Sequence, residues 1–326
     1  MSHDYRCSLA TSSTQSPAAR GTRARLQGMR RLLAGLLLFT VAGCASAPES
    51  TPTTSASPAA APQISYAALG DSYTAAPYVI STDLADGCLR SQQNYPRLVA
   101  DALDADLTDV SCGGADTSDV TAPQRTMGSG VRPPQIKAVT RDTDLVTVGL
   151  GGNDGNLFGQ LVGGCPLTGP QGETFGHSGR CGHMPDGVTD RLITGTQRDL
   201  TRALELVQRT APKATVVLIG YSRLLGAAPC AELPVAQEDL AGAAAVAVRL
   251  RDAQRDAAAT AGVGFLDMHR LSAGHDACSK QPWVQGIHTD QTQGAAMHPT
   301  PAGQEAVAQA LRDHLTEVGF GTGAAR

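Results

Sequence analysis

Leu145-Val146-Thr147-Val148-Gly149-Leu150 runs straight into Gly151-Gly152-Asn153-Asp154. Six uncharged residues closed by a glycine turn read as a strand buried on both faces, the mark of a parallel sheet covered by helices. The pattern recurs on either side. Ile64 to Leu69 ends in Gly70-Asp71-Ser72, Leu107 to Ser111 makes a weaker strand, and Ala214 to Gly220 and Val263 to Asp267 make two more. Helical spacing fills the gaps: Tyr95 to Leu103, with Leu98, Val99, Ala102 and Leu103 as its apolar stripe, then Val188 to Thr210, Pro234 to Ala261 and Pro301 to about Val318. This alternation predicts an α/β domain, a doubly wound (flavodoxin-like) five-stranded parallel sheet with helices on both faces. Ligands then belong at the carboxyl ends of the strands. Residues 155–186, polar, Gly-rich and holding two cysteines, are predicted to form a stapled excursion.

The chain has 326 residues, 41% of them apolar and 17% charged, enough for one large core. Its formal charge is -4, but residues 1–43 hold six Arg and one Asp, which leaves 20 basic against 29 acidic groups in the rest. An acidic body excludes nucleic acid as a partner on electrostatic grounds. Aromatic residues make up only 4%, so platforms for stacking sugars are scarce.

Met29-Arg30-Arg31 precedes an apolar run from Leu32 to Gly43 that is too short to span a bilayer, the pattern of a signal peptide over residues 1–43. Residues 1–28 fit no such pattern, so Met29 is the expected start. The run closes on Val41-Ala42-Gly43-Cys44, which resembles the lipobox of bacterial lipoproteins and implies lipidation at Cys44. Residues 45–62 are Ala, Ser, Thr and Pro apart from Glu49 and cannot bury enough apolar area to fold. At about 3.1 Å per residue they form a tether of about 50 Å. A folded domain is expected over 63–320, with a disordered tail at 321–326. The expected location is the outer face of the cell membrane, or the medium, and the expected state is a monomer.

Of the eight cysteines, Cys7 lies ahead of Met29 and Cys44 in the lipobox; the other six, Cys88, Cys112, Cys165, Cys181, Cys230 and Cys278, are an even set that in an exported chain indicates three disulfides. Fifteen pairings are open, and pairing nearest neighbours closes the shortest loops. No CxxC pair supports a zinc site, and no metal is expected.

Three segments bring chemistry to strand ends. Gly70-Asp71-Ser72-Tyr73 follows the first strand, Gly151-Gly152-Asn153-Asp154 the central one, and His298-Pro299 precedes the last helix. A hydroxyl, an amide and an imidazole meeting at one sheet edge are the kit for acyl transfer. Ala68-Leu69-Gly70-Asp71-Ser72-Tyr73-Thr74, then Cys88, Asn94-Tyr95-Pro96, Cys112-Gly113-Gly114-Ala115 and Gly151-Gly152-Asn153-Asp154, in that order, resemble the SGNH, or GDSL, family of esterases and lipases. The resemblance covers residues 64–319 and implies the three-layer SGNH hydrolase fold, no cofactor and an acyl ester substrate. It further implies Ser72 as nucleophile, His298 as base, and an oxyanion hole from Ser72 N–H, Gly114 N–H and the Asn153 amide.

The family usually places Asp three residues before the base, where this chain has Ala295. The backbone carbonyl of Ala295 is the expected orienter of His298, with the Asp290 carboxylate as the alternative. A neutral orienter stabilises imidazolium less than a carboxylate does, which predicts an alkaline optimum. Asp71 and Asp154 read as turn-forming residues, His269, His275 and His288 as surface or loop positions, and Arg90 as half of a structural ion pair. Trp283 reads equally as pocket wall or loop anchor. Ala75 and Ala76, with the loops 74–93 and 155–186, are expected to leave room for a lipid-like or aliphatic acyl chain. A carbohydrate deacetylase of the same family, a member that has lost catalysis, and a ligand-binding surface lipoprotein without turnover are the alternative functions.

Overall fold

The computed structural model describes residues 63–128, 130–175, 180–184 and 187–321. The signal segment, Cys44 and the tether, and residues 322–326 of the expected tail lie outside the described residues.

Five strands make the central sheet: β1 (Ser65–Gly70), β2 (Asp106–Asp109), β3 (Leu145–Gly149), β4 (Thr215–Ile219) and β5 (Gly264–Leu266). All pairings are parallel, in the order β2-β1-β3-β4-β5. This is the doubly wound sheet expected from the sequence. Every residue of β3 is buried, as its uncharged run predicts, with the hydroxyl of Thr147 bonded to Tyr66 OH, whereas the edge strand β2 alternates exposed and half-buried residues.

The period-two alternation of side chains sorts the core into two layers. Ala67 and Leu69 of β1, Val146 and Val148 of β3 and Leu218 of β4 pack against Leu200, Leu204 and Val207 of α4 (Val188–Thr210) and Ala257 of α5 (Gln237–Ala261). Tyr66 and Ala68, Leu145 and Val217 face the other way, onto Val99 of α2 (Tyr95–Leu103) and Leu311 of α7 (Pro301–Glu317). Each fully buried Leu or Val in these layers contributes about 1.5–3 kcal/mol over its exposed state.

Helix α2 starts at Asn94, whose side chain accepts from Arg97 N–H, and α7 starts at Thr300, which accepts from Gly303 N–H, with Pro301 at the first helical position. The disulfides join Cys88 to Cys112, Cys165 to Cys181 and Cys230 to Cys278, the nearest-neighbour arrangement. The second staples the excursion, which carries the short helix α3 (Leu157–Val162).

Candidate active site

β1 and β3 are neighbours, yet the chain leaves β1 for β2 on one side and enters β3 on the other. The crevice between their carboxyl ends is therefore the topological switch point of the sheet. At the end of β1, Gly70 is held by a two-pronged bond: its N–H donates to Gln135 Oε1 at 2.8 Å and its carbonyl accepts from Gln135 Nε2 at 2.9 Å. A side chain at 70 would collide with Thr74, so this turn requires glycine. The one-turn helix α1 (Ser72–Ala75) follows, capped by Asp71, whose Oδ1 accepts from Tyr73 N–H at 2.8 Å. Since Asp71 supplies the cap, the Ser72 hydroxyl is free for other work, and Ser72 Oγ lies 2.8 Å from His298 Nε2.

His298 reaches this point through a tight backbone reversal. Met297 takes a left-handed φ of 64°, its carbonyl accepts from Tyr73 OH at 2.6 Å, and His298 N–H donates to Ala295 O at 3.0 Å. The imidazole folds back so that Nδ1 lies 2.7 Å from Ala296 O. A carbonyl only accepts, so Nδ1 carries the proton and Nε2 offers its lone pair to the Ser72 hydroxyl.

The acceptor beside Nδ1 is thus a backbone carbonyl, that of Ala296 and not, as expected, that of Ala295, whose oxygen takes the His298 N–H instead. Asp290 makes no bond to His298. It is exposed, and its Oδ1 closes its own turn on Thr292 N–H at 2.8 Å and Gln293 N–H at 3.0 Å. The ring of His298 is walled by Tyr73 and Phe158, with centroids 5.4 and 5.9 Å away. Burial pushes its pKa below the ordinary value, only partly offset by the bond to Ala296, so the imidazole is held neutral, the state a base needs.

The expected oxyanion donors lie on two loops that are tied to each other. Asn153 Nδ2 donates to Ala115 O at 2.9 Å, and Asp154 accepts from Thr117 N–H and Thr117 Oγ1 at 2.9 and 2.8 Å. The Cys88–Cys112 bridge and the Gly113 N–H bond to Cys88 O, 2.9 Å, hold the other end of the loop. Gly114 has φ +79°, and a Cβ there would point into open space. Among the described residues neither the Ser72 N–H nor the Gly114 N–H meets an acceptor.

Ser72 and Asn153 open onto a cavity of about 680 Å³, mouth included, walled by Leu157, Phe158, Leu161, Leu224, Val246 and Leu250. The excursion contributes Leu157, Phe158 and Leu161 as expected, whereas the loop 74–93 contributes none. Ala75 and Ala76 are fully buried and do not line the cavity. Helix α5 supplies a whole wall that the sequence reading did not assign, Val246, Ala247, Leu250, Arg251 and Gln254, on one face at helical spacing. Trp283 is a loop anchor: it stacks on His275 at 4.2 Å, and its carbonyl accepts from Thr300 N–H. Arg90 pairs with Asp86 and donates to Ser111 O at 2.7 Å. His269, expected at the surface or in a loop, is instead buried in the one-turn helix α6 (Met268–Leu271) and lines the cavity, and His288 lies 3.2 Å from Thr168 Oγ1.

Three residues outside the motif blocks help to hold the site. Gln135 clamps Gly70. Gln304 of α7 joins Tyr95 N–H and Tyr73 O, and Tyr221 sits between Asp71 and Gly152. Tyr221 comes two residues after the end of β4, in the stretch where the rule for parallel sheets places ligand-facing residues, so a signal for it was there to read.

Known proteins agree with this arrangement. The profile of the GDSL-like lipase/acylhydrolase family matches residues 68–306. Lipase 2 of Streptomyces coelicolor is 36% identical over 271 residues, 81% of this chain and 90% of that protein. The crystal structure of the extracellular lipase of Streptomyces rimosus superposes with a TM-score of 0.59 at 27% identity, over 77% of this chain and 99% of that one. Phospholipase A1 of Streptomyces albidoflavus gives 0.58 at 25% identity over the same shares. With the ordered motif blocks, the sheet and these relatives in agreement, the chain belongs to the GDSL-like lipase/acylhydrolase family and is a carboxylic ester hydrolase.

Proposed function

We propose that the protein is an exported serine hydrolase, tethered to the membrane through Cys44, that cleaves lipid-like or aliphatic acyl esters by way of an acyl-enzyme on Ser72. The observation that carries this reading is a Ser72 Oγ–His298 Nε2 contact of 2.8 Å at the mouth of an apolar cavity. In the first half-reaction Nε2 takes the hydroxyl proton as Oγ bonds to the ester carbonyl carbon. The oxygen that becomes negative is received by Ser72 N–H, Gly114 N–H and Asn153 Nδ2. Collapse breaks the bond to the alcohol, which leaves with the proton from Nε2. Water repeats the sequence and frees the acid. Fixed N–H donors of this kind contribute about 3–4 kcal/mol each to the transition state.

The names of the relatives, lipases and a phospholipase A1, agree with a lipid-like acyl group. The leucine and valine walls favour the same choice over a carbohydrate deacetylase, which needs polar and stacking contacts to a sugar. The test is covalent labelling by a fluorophosphonate together with hydrolysis of p-nitrophenyl esters. Wild type is labelled and turns over, and Ser72→Ala does neither. In cells wild type fractionates with membranes and Cys44→Ser with the medium. A Ser72→Ala protein that is still labelled at the wild-type rate refutes the assignment of the nucleophile.

A further inference from the structure

We infer that Tyr221 is a positioning residue for this hydrolysis: its phenol bridges Asp71 and Gly152 and so holds the Asn153 loop in register with Ser72. This inference rests on the proposed hydrolase mechanism. The Tyr221 hydroxyl donates to Asp71 Oδ2 at 2.5 Å, and its oxygen accepts from Gly152 N–H at 2.7 Å. Asp71 immediately precedes the nucleophile, and Gly152 immediately precedes the amide donor. One side chain, 150 residues from Asp71 and 69 from Gly152, thus couples the two halves of the reaction centre. Its ring meets Tyr73 edge-on at 5.0 Å, and a Cβ on Gly152 would sit 3.0 Å from the ring, so the phenol leans on a bare Cα. Neither bond has a substitute. Without the phenol, a buried carboxylate oxygen and the Gly152 N–H lose their partners.

The hydrogen inventory gives the bridge a protonation requirement. Tyr221 has one proton to donate, and its oxygen already takes the Gly152 N–H, so its natural acceptor is an ionised Asp71. Burial raises Asp71 to about 7, against the pull of its bonds to Tyr221 and Tyr73. The other titratable groups that face it are Tyr73, Tyr95, Tyr221 and Asp154. Burial holds the three phenols protonated through this range and lifts Asp154 to about 6. A carboxyl with a raised pKa is ionised only above it, so the bridge assembles as pH rises through about 7. His298, depressed by burial, is already the free base there, which assigns the acid limb of kcat/KM to Asp71.

The experiment compares the full chain with Tyr221→Phe and Asp71→Asn on p-nitrophenyl butyrate across pH, with Ser72→Ala as the separate check of the hydrolase reading. Tyr221→Phe keeps the ring and should lower kcat about 10- to 100-fold with KM within about threefold, the cost of a displaced amide donor. Its acid limb should move to higher pH, because the bond it loses was lowering the Asp71 pKa. In Asp71→Asn the limb near 7 should disappear. A Tyr221→Phe kcat within twofold of wild type, or a fall in kcat with the limb unmoved, overturns the inference. If Tyr221→Phe fails to fold, survival of the limb near 7 in Asp71→Asn overturns it instead.

Discussion

The cavity beside Ser72 makes chain-length preference a quantitative matter. Its walls, Leu157, Phe158, Leu161, Leu224, Val246 and Leu250, offer an acyl chain continuous apolar contact. Each methylene taken out of water contributes about 0.8 kcal/mol, and at 1.36 kcal/mol per decade that is about fourfold in kcat/KM. Four added methylenes, from butyrate to octanoate, then raise kcat/KM by up to about 200-fold before the cavity fills and the profile flattens. Ala247 is the gap in the α5 wall, one turn from Leu250 and Arg251 on the cavity face. Ala247→Phe places a ring in that gap. If the ring displaces two or three methylenes, octanoate loses about 15- to 60-fold while acetate, which never reaches the gap, stays within about twofold. The assay is kcat/KM on p-nitrophenyl esters from acetate to palmitate, each below its micelle concentration. A flat profile from butyrate to octanoate refutes the reasoning, as does an Ala247→Phe protein that loses acetate and octanoate equally.

Two further outcomes follow from the loops. Asp290→Asn leaves kcat/KM within about twofold, as an exposed turn carboxylate should, and a loss beyond tenfold would restore it as the partner of His298. Removing the Cys88–Cys112 bridge as Cys88→Ser/Cys112→Ser, a separation of 24 residues, costs about 3.4 kcal/mol by loop-closure entropy, read from urea unfolding. The same change lowers kcat, since Gly113 is bonded to Cys88 and Gly114 comes next; a stability loss below about 1 kcal/mol contradicts the entropic account.

What the sequence made legible follows from how each feature is encoded. β3 was legible because five consecutive buried residues admit no charged side chain, and the one hydroxyl among them, that of Thr147, is bonded to Tyr66 OH at 2.9 Å. α2 and α4 fall at the residues expected because apolar spacing and end signals coincide there. α5 begins at Gln237 and not at Pro234, because Leu233 and Val235 are drawn into the core around the Cys230–Cys278 bridge. Ser72 and His298 stand in motifs whose order along the chain is itself information. The atom that orients His298 does not. Ala296 acts through its carbonyl, which every residue possesses, and what selects it is the left-handed φ of Met297, a conformation that a methionine does not announce.

The same physics explains why Gln135, Gln304 and Tyr221 escaped the sequence reading. Gln135 and Gln304 act on backbone N–H and C=O groups across 65 to 231 residues of sequence, so no local pattern marks them, and Tyr221 had only its place just past β4 to mark it. The missing family Asp at Ala295 is then less a gap than a change of supplier, from a side chain to the main chain. A carbonyl fixes the tautomer as well as a carboxylate does but adds no negative charge against the imidazolium. That, with burial, holds the His298 pKa down, so His298 is the free base from lower pH and gives no alkaline shift of its own, against the expectation from the sequence. Asp71, ionised only above about 7 and bonded to Tyr221, is what pushes the optimum to the alkaline side, from the opposite end of the site. The two groups separate cleanly: Asp71→Asn removes the alkaline push and leaves only the His298 limb at lower pH.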